Sequence, residues 1–114
     1  MKRVAFVFSF VLALSLGAAG LTLVDAVKAG NRDAVRAILA TPAGKSAVNT
    51  PEADGTTPLH WATRADEGTI ARMLVAAGAN ANAVNRYGVT PLSLAANNAS
   101  AELVDVLLKA GADA

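Results

Sequence analysis

The chain has 114 residues, a formal charge of +1, no cysteine, and a composition that is 54% apolar but only 4% aromatic. That length suits one domain. The missing thiols exclude disulfides and thiolate metal sites, and Ala, Val and Leu must do most of the packing. With Lys2 and Arg3 set aside in a targeting segment, eight basic residues face nine acidic ones, a balance of −1, which leaves no electrostatic footprint for nucleic acid.

The amino terminus has a short basic region, Lys2 and Arg3, then an uncharged apolar run from Val4 to Leu16, then the small residues Gly17 to Gly20. This is the pattern of a secretory signal peptide over residues 1–20, with cleavage after Ala19 or Gly20. The alternative is a membrane anchor, because the stretch from Val4 to Val24 carries no charge and is long enough to span a bilayer. With no Cys after the apolar run, no residue can carry a lipoprotein's lipid. The expected location is periplasmic or secreted, with membrane contact only through the amino-terminal segment if it is kept.

Residues 21–53 form a first, degenerate unit. Leu23 and Ala26 mark one helix, Gly30 to Asp33 make a turn, and Ala34, Val35, Ile38 and Leu39 give a second apolar helix face. Residues 54–86 form a second unit. Thr57 is a fitting helix N-cap, Pro58 suits the first helical position, and Leu59 and Ala62 share a face. The first helix is expected over about Pro58 to Ala65 and the second over about Thr69 to Ala77, with Gly78 ending it. Residues 87–114 repeat the plan, with helices over Pro91–Asn97 and Ala101–Lys109.

The last two units share one register. Gly55, Thr57, Pro58, Leu59 and Ala62 recur at a single fixed offset as Gly88, Thr90, Pro91, Leu92 and Ala95, and the match continues from Ile70/Leu103 to Gly78/Gly111. The first unit differs by an insertion. The path from Leu39 to Gly55 is three positions longer than the path from Val75 to Gly88, which places the extra residues around Thr41 to Ser46.

Two-helix units at a period of about 33 residues, with Thr57-Pro58-Leu59-His60 and "LVAAGANANA", resemble ankyrin repeats. The resemblance covers Leu21 to Ala114 and is strongest from Asp54 onward. It implies an all-α ankyrin repeat solenoid of helix–turn–helix units with short β-hairpin-like loops, of a secreted, bacterial type or a fragment of a longer array. It also implies structural roles for Thr57, Pro58, Leu59 and His60, repeated in Thr90, Pro91 and Leu92, with Thr57 and His60 tying the helix start to neighbouring loops. Ser93 stands where the family has His, so the inter-repeat bond is expected to be lost there. Gly30-Asn31, Asp66-Glu67 and Ala99-Ser100 depart from the family's Gly-His turn and are expected to weaken it.

Little in the chain suggests catalysis. His60 is the only histidine, so no metal set can be completed around it, and its motif position explains it. Ser46, Ser93 and Ser100 sit at repeat or loop positions. Asp25, Asp33, Asp66 and Glu102 lie on turns and helix starts, where carboxylates favour the helix dipole. The glycine turns follow helices instead of leading into them, so they are not phosphate loops. No enzyme activity, metal or cofactor is expected.

The expected function is therefore protein binding across an extended repeat surface. The resemblance places partner-facing residues at Ala53, Asp54, Thr56, Trp61, Arg64 and Ala65 in the second unit, and at Arg86, Tyr87, Val89, Asn97 and Asn98 in the third. Trp61 reads equally as an interface anchor or as a partly packed side chain. The alternative function is a regulatory or targeting segment of a larger secreted enzyme whose catalytic domain lies beyond residue 114. The third unit carries Leu94, Ala95, Val104, Leu107 and Leu108 with no later unit to cover them, so further repeats or self-association are expected at the carboxyl end.

Overall fold

The computed structural model describes residues 22–113. The expected signal segment, residues 1–20, lies outside them. The described residues hold seven α-helices: α1 (Leu23–Lys28), α2 (Arg32–Leu39), α3 (Pro42–Ser46), α4 (Pro58–Arg64), α5 (Gly68–Ala76), α6 (Pro91–Asn97) and α7 (Ala101–Lys109). A 3-10 turn at Ala47–Asn49 follows α3. Among the described residues no helix is long and apolar enough to cross a membrane.

Short polar side chains start most of these helices by accepting a bond from an otherwise unpaired N–H. Thr22, Asn31, Thr41, Thr57, Thr90 and Ser100 each do so, and Pro follows directly after Thr41, Thr57 and Thr90. Glu67, which precedes α5, makes no such bond. Its carboxylate instead reaches Arg32 of the preceding unit at 3.4 Å.

The helices form two layers. The inner layer stacks α1, α4 and α6, and the outer layer stacks α2, α5 and α7. Their burial shows which side of each unit meets a neighbour. Ile70 and Leu74 on α5, and Leu103 and Leu107 on α7, are fully buried, while their counterparts Ala34 and Ile38 on α2 are only half-buried. The adjacent positions run the opposite way. Val35 and Leu39 are buried on α2, but Val104 is half-buried and Leu108 is 44% exposed on α7.

The expectation that Leu94, Ala95, Val104, Leu107 and Leu108 all lack cover is corrected in part. Ala95 and Leu107 are fully buried against the second unit. The open side is Val104 and Leu108, while Leu94 is half-buried and lines a concavity shared with Trp61 and Arg64 of the second unit. The helical period alone does not say which of two adjacent apolar residues faces backward and which forward.

The loops between units are hairpin-like turns without an assigned strand. Glu52 N–H donates to the Thr56 carbonyl at 2.8 Å, and Asn85 N–H donates to that of Val89 at 3.2 Å. Arg86 N–H joins the two turns through the Asp54 carbonyl at 2.7 Å. The stretch that carries the three-residue insertion folds as α3, packed so closely on α2 that a Cβ on Gly44 would collide with the Ile38 carbonyl group. Only glycine fits there without moving the backbone.

Between the two helices of each unit the chain takes a left-handed residue: Gly30 at φ 67°, Asp66 at 58° and Ala99 at 54°. Glycine adopts this freely and Asp is tolerated through local hydrogen bonding, but Ala has neither advantage and carries about 1 kcal/mol of strain. Ala99→Gly is therefore expected to stabilise the fold by about 1 kcal/mol, read as a higher urea midpoint with an unchanged slope. Gly30→Ala should move the midpoint the other way.

Candidate binding groove

Where the second and third units meet, their inner helices and hairpin turns leave a groove of about 310 Å³. Its lining is Asp54 and Thr56 from one turn, His60, Trp61 and Arg64 from α4, Asn85, Tyr87 and Val89 from the next turn, and Leu94 from α6.

His60 forms the base of this arrangement. Thr57 N–H donates to His60 Nδ1 at 3.0 Å, so Nδ1 carries no proton in this arrangement. Nε2 then holds the ring proton and donates to the Val89 carbonyl oxygen at 2.9 Å. One imidazole thus closes the cap of α4 and binds the turn of the next unit. At the matching place in the third unit, Ser93 Oγ bonds to Thr90, at its own helix cap.

Trp61 is half-buried and held on several sides. Its Nε1–H donates to Glu52 Oε1 at 2.7 Å, and the other oxygen of Glu52 accepts from Lys28 Nζ at 2.7 Å. The ammonium of Lys28 lies 4.6 Å from the indole centroid and the guanidinium carbon of Arg64 lies 5.7 Å from it. Both are within cation–π range. The indole is fixed before any partner arrives, and ordering it on binding carries a correspondingly small entropic cost.

The expected partner-facing residues divide into two groups. Asp54, Thr56, Trp61, Arg64, Tyr87 and Val89 come together in the groove. Tyr87 is 69% exposed, and Thr56 is buried, with its hydroxyl accepting from Asn85 Nδ2 at 3.3 Å. Hydrogen bonds from Thr56, first of all its backbone N–H, hold the Asp54 carboxyl below the usual carboxylate range. The remaining five lie outside the lining, and of these Ala53 and Ala65 are simply exposed. Arg86 sends its guanidinium to the Ala53 carbonyl at 3.2 Å. Asn97 is exposed at the end of α6. Asn98 spends its amide on the carbonyls of Thr63 and Arg64, at 2.9 and 3.2 Å. That makes Asn98 a tie between inner helices.

Several participants escaped sequence reasoning. Glu52 and Lys28 orient Trp61 with no motif to announce them. Asn85 accepts from the N–H groups of both Tyr87 and Val89, at 2.9 and 3.1 Å, and so shapes the turn that presents the tyrosine. Asn49 and Asn82 are a repeated latch. Asn49 donates to the Gly78 carbonyl at 3.0 Å and accepts from Asn80 N–H at 2.7 Å, and Asn82 does the same with Gly111 and Asp113, at 2.9 and 2.8 Å. Their separation by one full repeat period was the available signal. Among the described residues no cluster of three His, Asp or Glu side chains stands ready to hold a metal ion.

The Glu52 carboxyl sits below its ordinary value, held there by the bond from Lys28 and then by that from Trp61. A carboxyl whose folded-state value is lowered contributes stability above the ordinary carboxylate range and loses it as pH falls through the lowered value. Trp61 is the only tryptophan, so intrinsic emission reports this cluster directly. Emission should hold steady from neutral pH through the ordinary carboxylate range and change only below it. Glu52→Gln should remove that acid step, and an unaltered titration in this variant would show that Glu52 does not govern the indole.

A family model described as ankyrin repeats (three copies) matches residues 23–114. The match takes in the described two-helix units, including the first one with its inserted helix, and the register of their inter-unit contacts agrees with it. This chain belongs to the ankyrin repeat family.

Proposed function

We propose that the chain is a non-catalytic protein-interaction module that is exported across a membrane and binds its partner along the groove between the second and third units. Ankyrin repeats are in general protein–protein interaction modules and are typically non-catalytic. The observation that carries the choice of face is Tyr87. It is 69% exposed on a turn, beside an indole that Glu52, Lys28 and Arg64 hold in place. Tyr, Trp and Arg are the side chains most enriched at interface hot spots, and here all three meet in one concavity. Export is supported by the basic start, the apolar run and the small residues at Gly17–Gly20.

Two experiments test this reading. Tyr87→Ala is expected to weaken capture of a protein partner by about 2 kcal/mol or more while leaving the fold intact, because the side chain stands on an exposed turn. Arg72→Ala with Lys109→Ala is the control, since both side chains lie on outer helices in surface ion pairs with Glu102 and Asp105. Loss of binding in the control alone would move the binding face to the outer layer. For export, protein recovered from a secreting host should have an intact mass lacking everything up to Ala19 or Gly20. A full-length, membrane-embedded product would identify the segment as an anchor.

A further inference from the structure

We infer that the groove receives one face of an acidic amphipathic helix from the partner protein. This rests on the groove being the binding face, and it goes further by fixing the chemistry of the occupant.

The first observation concerns the backbone of the groove's two turns. From Gly55 to Thr57 and from Asn85 to Thr90, every N–H already has an acceptor within the chain. Gly55 donates to the Glu52 carbonyl, Thr56 to the Asp54 carboxylate and Thr57 to His60. Asn85 donates to the Val89 carbonyl, Arg86 to that of Asp54 and Gly88 to that of Asn85. Tyr87 and Val89 donate to the Asn85 side chain and Thr90 to that of Ser93. Pro58 and Pro91 have no N–H to give. An extended peptide that binds by strand addition needs a row of free main-chain groups, and a chain's terminal carboxylate needs a nest of free N–H donors. Over these two spans the turns offer no free N–H donor to either kind of ligand. An occupant that brings its own main-chain groups already paired, as a helix does, fits this surface.

The second observation is the charge. Both oxygens of Glu52 are taken by Lys28 and Trp61. Asp54 accepts from Thr56 and lies close enough to Arg86 for that guanidinium to favour its ionised form. Among the described residues, Arg64 forms no ion pair. It is exposed and lies over the indole, beside the apolar surface of Tyr87, Val89 and Leu94. A guanidinium oriented by an aromatic ring presents a planar fork that suits a carboxylate. The complementary surface is one helix face with Asp or Glu three or four positions from a bulky apolar residue.

Panning the full chain against a display library of linear peptides, then titrating the enriched peptides with Trp61 emission as the readout, tests this. The expected peptides carry Asp or Glu at that spacing from Leu, Ile or Phe, lack internal proline, become helical when bound, and bind equally with the carboxyl end amidated. Replacing the acidic residue by Gln, or Arg64 by Ala, should each weaken binding by about tenfold, and the two together by little more than either alone. Arg64→Ala should lower the urea midpoint only slightly, through its cation–π contact with Trp61, because Asn98 uses the main-chain carbonyl at Arg64 and not its side chain. Enrichment of proline-rich, basic or neutral peptides, dependence on a free terminal carboxylate, or no enrichment at all would overturn the inference. The two readings fail separately. Partner capture that needs Tyr87 but is indifferent to Arg64→Ala removes the acidic helix and keeps the face, whereas capture indifferent to both removes the face.

Discussion

Each two-helix unit buries its apolar side chains only as far as a neighbouring unit covers them. Ile70 and Leu74 are sealed because the first unit lies against them, and Leu103 and Leu107 because the second does. Ala34 and Ile38, at the same positions on the first unit, stay half-open. Burying one such Leu or Ile contributes about 1.5–3 kcal/mol, so the four sealed positions on α5 and α7 outweigh the surface ion pairs around them, each of which contributes about 0–1 kcal/mol. Stability therefore resides in the seams between units, as expected of an array in which each repeat touches only its neighbours.

Apolar stacking alone tolerates sliding, particularly with side chains as small as Ala26, Ala62 and Ala95. Register comes from polar ties that cross the same seams. His60 reaches the Val89 carbonyl on the inner side, Asn98 reaches Thr63 and Arg64 between inner helices, and Asn49 and Asn82 clamp the ends of successive outer helices. Each of these hydrogen bonds contributes only about 0.5–1.5 kcal/mol net, but each is directional and fails if the units slip. The Asn latches use both ends of an amide, one donating and one accepting, which fixes the following glycine turn in two directions.

How far this was legible in the sequence follows from which contacts repeat. Pro58–Arg64, Gly68–Ala76, Pro91–Asn97 and Ala101–Lys109 fall within a residue of expectation at each end, because Thr-Pro starts and glycine stops are local signals that recur at a fixed spacing. The match of residues 23–114 to ankyrin repeats rests on the same recurrence. The inserted helix α3 was missed although Thr41-Pro42 carries the same start signal, since it falls outside the repeat register. The groove was only half legible. Trp61, Arg64 and Tyr87 could be placed by position, but the Glu52 carboxylate that holds the indole stands where the next unit has Asn85. A side chain that occurs once, in a role its counterpart fills differently, leaves no periodic trace. Asn98 is exposed, as its position implies, but its amide turns onto the carbonyls of Thr63 and Arg64, because sequence position fixes which layer a residue belongs to and not which way its amide turns.

The groove's position is a consequence of the stacking and not an addition to it. Inner helices α4 and α6 pack on each other with Ala62 and Ala95 fully buried, and the hairpin turns ahead of them line the groove beside them. A concavity must form where two turns rise beside two short inner helices. The ties that set register also finish its walls: the imidazole of His60 forms part of the lining while binding Val89, and Asn85 pairs with Thr56 across the seam while shaping the turn under Tyr87. On the proposed binding face, the residues that set register therefore also form the walls. The exposed side chains that remain for a ligand, Arg64 and Tyr87, do not hold the units together. On the proposed face they can therefore meet a partner without loosening the contacts between units.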